Sequence, residues 1–220
     1  LPHHGQLLAR NGRADEARAT LDEAEQRAAA IGDEATVARS RVIRILFQRS
    51  IAEPETMRDQ AHREADAAIE VFARTGDQLG LALAWELHAE AYWREGLVSL
   101  EEPARERALE FARAAGDRNE EMEALTSVGR SLVQGPTPVP EGIERAEALL
   151  AVAAGDRRIE SAMAHALAHL YAQGGRFVEA RGMAARSMTM LEENGQAIEA
   201  ATMTEVCADV EHWAGDTTAE

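Results

Sequence analysis

Apolar residues recur three and four positions apart along almost the whole chain, which is the spacing of one face of an α-helix. The alternation of apolar and polar residues that marks a half-buried strand is almost absent. A Gly-Asp turn interrupts these helical segments at nearly equal intervals. Its glycines are Gly32, Gly76, Gly116 and Gly155, with a weaker copy at Gly195, and they are 44, 40, 39 and 40 residues apart. The pattern predicts a helical repeat of about forty residues.

A second glycine turn falls about halfway through most repeats. It occurs at Gly12, Gly96, Gly175 and Gly215. Each repeat therefore reads as helix, turn, helix, turn. Because glycine closes a helix in the left-handed conformation and an acidic residue caps the next one, first helices are expected to begin near Asp33, Asp77, Asp117 and Asp156.

Proline replaces the short turn in two repeats, at residues 51–54 and 135–140. Pro54, Pro103 and Pro140 are each expected in the first turn of a second helix, where a missing N–H costs little. Ser99 with Glu102 is expected to form a capping box before one of these helices.

Large and small residues also repeat within the helices. Trp85, Ala89 and Tyr92 give a large-small-large order in one first helix, and Leu167, Ala168 and Tyr171 give it in another. Second helices carry small residues seven apart, at Ala17 and Ala24, Ala61 and Ala68, and Ala180 and Ser187. Small residues on one face allow neighbouring helices to approach closely.

These residues resemble the tetratricopeptide family over the whole chain. The resemblance implies an all-α fold, a right-handed α-α superhelical solenoid of about five and a half helix-turn-helix repeats with about 11 helices. A single domain is expected over 1–220, with repeats near 1–32, 33–76, 77–116, 117–155 and 156–195 and a truncated one at 196–220, as a fragment of a longer protein. HEAT-type repeats share the period but lack the Gly-Asp turn, and they rank second.

Two departures refine the resemblance. The forty-residue period, and Glu101 where a small residue belongs, differ from the standard repeat. The longer period is similar to the superhelical repeats of bacterial signalling ATPases of the maltose-regulon activator kind. The loop at 135–140 is similar to the C-terminal repeats of actinobacterial-type proteins that carry a nucleotide cyclase and an AAA-type ATPase. Neither catalytic domain has its motifs here, so no catalytic residue carries over.

Charge and composition exclude several functions. The chain has 39 acidic and 23 basic residues and a formal net charge of −16, which disfavours nucleic acid and anionic membranes as partners. It contains no phosphate-binding loop, nucleophile elbow or metalloprotease motif, so neither an enzyme nor a cofactor is expected. A single cysteine, Cys207, fits a cytoplasmic location.

The resemblance implies a concave groove lined by the fifth, ninth, twelfth and thirteenth positions of the first helices. These positions hold Glu86, Glu90, Trp93, Arg94, Thr126, Arg130, Val133, His165, His169, Gln173, Glu205, Asp209, His212 and Trp213. The mixed charge of this set favours a protein or peptide segment as partner, either from another protein or from another domain of the same polypeptide. Two alternatives stay open: a solvated polar face, and an effector site for a small molecule that switches an attached ATPase or cyclase.

The pair His165 and His169 has a spacing that can hold a metal, with Glu205 or Asp209 as a third ligand. A complete ligand set is rare, and no functional metal is expected. Both imidazoles are instead expected to bond groove carboxylates or water and to titrate at about 6.5 unless these neighbours shift the pKa.

The last helix lacks a covering second helix. Its apolar residues Ile198, Ala201, Val206 and Val210 are therefore expected to be exposed and to cause weak self-association.

Overall fold

The computed structural model describes residues 1–47, 54–152, 155–193 and 197–215. Helices make up 88% of these residues, and no strand occurs among them. The expected helix content above three quarters is confirmed. None of the described helices has the length and apolar character needed to cross a membrane.

The described residues form eleven helices, the number expected from the repeats. They are α1 Pro2–Arg10, α2 Ala14–Ile31, α3 Glu34–Phe47, α4 Pro54–Thr75, α5 Gln78–Arg94, α6 Val98–Ala115, α7 Arg118–Gln134, α8 Val139–Val152, α9 Arg157–Gln173, α10 Phe177–Glu193 and α11 Ala197–Trp213. The odd-numbered helices are the first helices of the repeats, and the even-numbered ones are the second helices.

Aspartate side chains cap the first helices as the Gly-Asp pattern predicts. The carboxylate of Asp77 accepts a hydrogen bond from the backbone N–H of Gly80 at 2.9 Å, and Asp33 accepts one from Thr36 at 3.0 Å. Asp117 and Asp156 make the same kind of bond before α7 and α9. Each helix begins one residue after its aspartate, so the predicted starts are confirmed.

The turn glycines adopt the left-handed backbone that the repeat requires. Gly32 closes α2 with φ of 72°, and Gly116 closes α6 with φ of 67°. The half-repeat turns at Gly12, Gly96, Gly175 and Gly215 have the same conformation. A side chain at these positions would strain the backbone, which is why glycine marks the period.

One predicted helix start is wrong. Helix α6 begins at Val98, so Pro103 lies in its sixth position instead of its first turn. The backbone carbonyl of Leu97 accepts bonds from the N–H groups of Leu100 and Glu101, and no side chain caps this end. The expected capping box of Ser99 therefore does not form. The glycine turn before α6 is tight enough for the helix to start one turn earlier. The other two prolines fall at the first residue of α4 and the second of α8, as expected.

Small residues lie where helices pack most closely. Ala89, Ala24, Ala68 and Ala180 are each at most 1% exposed. At Gly80, an added Cβ would lie 2.4 Å from Cδ1 of the buried Phe72 ring. Close approach of backbones at these sites keeps the core continuous although aromatic residues are few.

The chain forms two compact units, residues 1–124 and 125–220, and α7 spans the boundary. In unit 1, each helix from α1 to α6 packs on the next. Among the first helices of this unit, α3 also packs on both α1 and α5. In unit 2, α8 to α11 pack in sequence, and the first helices α9 and α11 touch. Contacts between consecutive helices and between successive first helices are typical of helical repeats.

The C-terminal helix is better covered than expected. Val206 is 3% exposed and Val210 is 1% exposed, because α11 packs on both α9 and α10. The expected exposure of these two residues is wrong. Ala201 is exposed, and the side chain of Ile198 lies outside the described residues. Self-association through this helix stays a prediction.

Candidate binding site

In unit 1, the structure places the predicted groove residues of α5 around one buried cation. Glu86 accepts a hydrogen bond from Nη1 of Arg105 at 2.7 Å, and Glu90 lies 3.9 Å from its Nη2. Glu90 also accepts from Nε of Arg94 at 3.2 Å. Trp93, the fourth member, is 40% exposed. Glu86, Glu90 and Arg94, three of the four predicted residues, are thus held by internal ion pairs, and Trp93 presents the most surface.

Arg105 is the residue that sequence reasoning missed. It is fully buried on α6, and Glu101, one turn earlier, pairs with it. Burial acts to lower the pKa of Arg105, but the surrounding carboxylates, Glu86 foremost, outweigh it and raise the pKa. The only hint in the sequence was Glu101 at a position where the repeat wants a small residue. That glutamate is buried because the arginine neutralises it.

A second missed contact joins the two ends of unit 1. The side chains of Gln6 and Arg10 on α1 each donate to Oε1 of Glu120, in the first turn of α7, at 2.8 Å. Burial raises the pKa of Glu120, and Arg10 opposes that shift. These two hydrogen bonds link α1 to the first turn of α7.

In unit 2, the forty-residue register brings predicted groove residues together. Nε2 of Gln173 donates to the backbone carbonyl of Val133, forty residues earlier, at 3.3 Å. Thr126 is exposed and Arg130 is half-buried on the same helix as Val133. The corresponding position forty residues after Gln173 is Trp213, which is 45% exposed.

The histidine pair of α9 is the most distinctive polar feature of this face. His165 and His169 are half-buried, and their ring centroids lie 5.3 Å apart. Burial, together with the charge of His169, lowers the pKa of His165 to about 4. Burial also lowers the pKa of His169, and Asp209 on α11 opposes that shift. The expected titration near 6.5 is therefore wrong, and both rings are neutral at pH 7.

Neither imidazole forms a hydrogen bond with a protein group that the structure describes, so the expected bonds to groove carboxylates are not made there. Glu205, Asp209 and His212 are exposed on α11. Among the described residues, no three histidine, cysteine, aspartate or glutamate side chains converge as a metal site would require. Among the described residues, this face therefore has imidazole nitrogens that can form hydrogen bonds but no complete set of metal ligands.

A second histidine pair, which the sequence did not reveal, joins α4 to α5. The Nδ1 atoms of His62 and His88 lie 2.9 Å apart, which is hydrogen-bonding distance. Nε2 of His88 lies 3.0 Å from Asp66, and Nε2 of His62 lies 3.3 Å from Glu95. Burial lowers the pKa of His88, although Asp66 opposes it.

Comparisons with known proteins add no assignment. No protein-family model matches the chain, and no curated protein has a matching sequence.

Proposed function

We propose that the chain is a non-catalytic interaction module that binds an extended peptide, or a segment of a protein, along the face formed by α9 and α11. The module would serve a larger, cytoplasmic bacterial signalling protein, either by recruiting a partner or by holding another part of the same polypeptide. The tetratricopeptide resemblance suggests this role, and one observation on unit 2 supports it.

That observation is the hydrogen-bonding capacity of His165 and His169. A neutral imidazole has one N–H donor and one lone-pair acceptor. A peptide group likewise has one donor and one acceptor, so each ring can satisfy an amide of an extended chain. Polar groups that are shielded from water are normally hydrogen-bonded, so a ligand that displaces water from these half-buried rings has to supply partners for them. Two rings without a protein partner in the described residues are therefore suited to a ligand.

The surroundings of the pair favour a peptide over a compact ligand. Asp209 and Glu205 provide exposed carboxylates on the neighbouring first helix. Trp213 is 45% exposed at the end of the same helix, and tryptophan is enriched among residues that dominate binding energy. Polar and aromatic groups spread along two helices match a ligand of several residues, with a basic residue opposite Asp209.

A displayed random-peptide library, selected against the purified chain, tests this proposal. The tightest peptide is then measured against His169→Phe, which keeps a ring but removes both hydrogen-bonding atoms. We expect at least about tenfold weaker binding, because an unpaired polar group in the complex costs roughly 1–3 kcal/mol.

The matched control is His4→Phe, an exposed histidine on α1 of unit 1. It should leave the affinity unchanged. Helicity by circular dichroism shows that both variants fold. Equal peptide affinity of wild type and His169→Phe would contradict a site on α9.

A further inference from the structure

Unit 1 contains a cavity of about 420 Å³ between α5 and α6, separate from the proposed peptide face. Trp85 and Tyr92 line it from α5, and Pro103 lines it from α6. Helix α6 also contributes the apolar residues Leu100 and Ala104 and three charged side chains, Glu106, Arg107 and Glu110. A volume of this size accommodates a small organic molecule.

The two aromatic side chains of the lining, Trp85 and Tyr92, pack against histidine rings. The ring of His88 stacks on Tyr92 with centroids 5.7 Å apart and planes at 11°, and it lies 5.6 Å from the ring of Trp85. His62 contacts Tyr92 from α4 at 4.7 Å. Because His88 is itself tied to Asp66 and His62, these rings have little freedom to turn. The aromatic lining is therefore preorganised before any ligand arrives.

The charges of the lining select the sign of a ligand. Glu106 and Glu110 supply two carboxylates against one guanidinium, Arg107, which pairs with Glu110 at 3.2 Å. The lining is thus net negative, and so is the whole chain, at −16. Aromatic rings attract cations through the negative potential of their faces, most strongly in tryptophan and tyrosine. The ring faces and the net negative charge of the lining would both repel an anion.

We propose that this cavity binds a small organic cation, with a quaternary ammonium or guanidinium head, between the aromatic lining and the carboxylates of α6. The apolar body of such a cation packs on Pro103 and the ring of Trp85. Its charged head lies against the carboxylates of Glu106 and Glu110, and it competes with Arg107 for Glu110. Nothing in this proposal depends on the peptide face of unit 2.

The fluorescence of Trp85 provides a direct assay. The chain has three tryptophans, so the variant Trp93→Phe/Trp213→Phe leaves Trp85 as the only one. Titration uses choline, butylguanidinium and 3,3-dimethylbutan-1-ol, which has the shape of choline without its charge. We expect a saturable change with at least one cation, and at least about tenfold weaker binding of the neutral alcohol.

Two variants locate the site. Tyr92→Leu keeps apolar volume but removes the ring, and it should weaken cation binding about fivefold. Glu110→Gln should weaken it as well, whereas Glu192→Gln, an exposed glutamate of unit 2, should not. Circular dichroism checks folding. If Tyr92→Leu unfolds, the comparison of Glu110→Gln with Glu192→Gln still shows whether the cation binds in this cavity.

Two results would overturn the proposal. Equal affinity for choline and its neutral analogue would make the cavity a simple apolar pocket. The absence of any saturable change with either cation, up to concentrations on the order of 10 mM, would mean that it binds no such ligand.

Discussion

Replacing His165 by glutamine should remove a specific part of the acid sensitivity of this protein. In the folded chain, burial and His169 hold the pKa of His165 at about 4. In the unfolded chain the pKa of a histidine returns to about 6.5. Between these two values the unfolded chain binds more protons than the folded one. Stability from this group is therefore present above pH 6.5 and is lost as the pH falls toward 4.

The size of the effect follows from that difference. Each pKa unit corresponds to about 1.4 kcal/mol, so at pH 4 the pKa difference between the folded and the unfolded chain has lowered the unfolding free energy by about 3 kcal/mol. Carboxylates also titrate near pH 4. A range above their titration therefore isolates the contribution of His165 better. Between pH 7 and pH 5, the contribution of His165 amounts to about 1.5–2 kcal/mol.

Urea unfolding followed by circular dichroism measures this contribution. The unfolding free energy is determined at pH 7, 6 and 5 for the wild type and for His165→Gln, which has a similar size but cannot gain the proton. The variant should lose about 1.5–2 kcal/mol less than the wild type between pH 7 and 5.

The matched control is His212→Gln, an exposed histidine of the same unit. It should reproduce the pH dependence of the wild type. If His165→Gln has the same slope as the wild type, then His165 is solvated in the folded protein, and the reasoning about neutral, half-buried imidazoles fails.

Two further predictions concern stability, measured by urea unfolding at pH 7. Gly80→Ala should destabilise the protein by roughly 1–3 kcal/mol because the added Cβ meets the rigid Phe72 ring. Gly182→Ala should stabilise it by up to about 1 kcal/mol, because the added Cβ has open space there and alanine favours the helix α10. A change of the same sign in both variants would contradict this packing. Arg105→Met should lower the unfolding free energy by about 3–5 kcal/mol because it leaves Glu101 and its neighbours buried without a counter-charge. Adding Glu101→Gln to this variant should recover part of that loss. The absence of any recovery would show that the arginine acts through packing alone.

The repeat boundaries could be predicted because their causes are local. A carboxylate such as Asp77 caps a helix by bonding an N–H three residues away, and Gly116 closes one by its own backbone angle. The same local reasoning failed at Pro103, where several starting points for α6 were compatible with the sequence. The tight turn at Gly96, together with the pairing of Glu101 and Arg105 inside the repeat, accompanies the earlier start.

The chemistry of the candidate sites depends on residues that are distant along the chain. Spacing alone placed His165 and His169 on one helical stripe, yet their neutral state follows from burial by other helices. Likewise, the partners of Glu120 lie 114 and 110 residues away, and no local sequence pattern predicts them. Helices and turns arise from interactions within a few residues, so the sequence determined them by itself. Burial, charge state and free hydrogen-bonding capacity are properties of packed neighbours, and only the tertiary structure decided them.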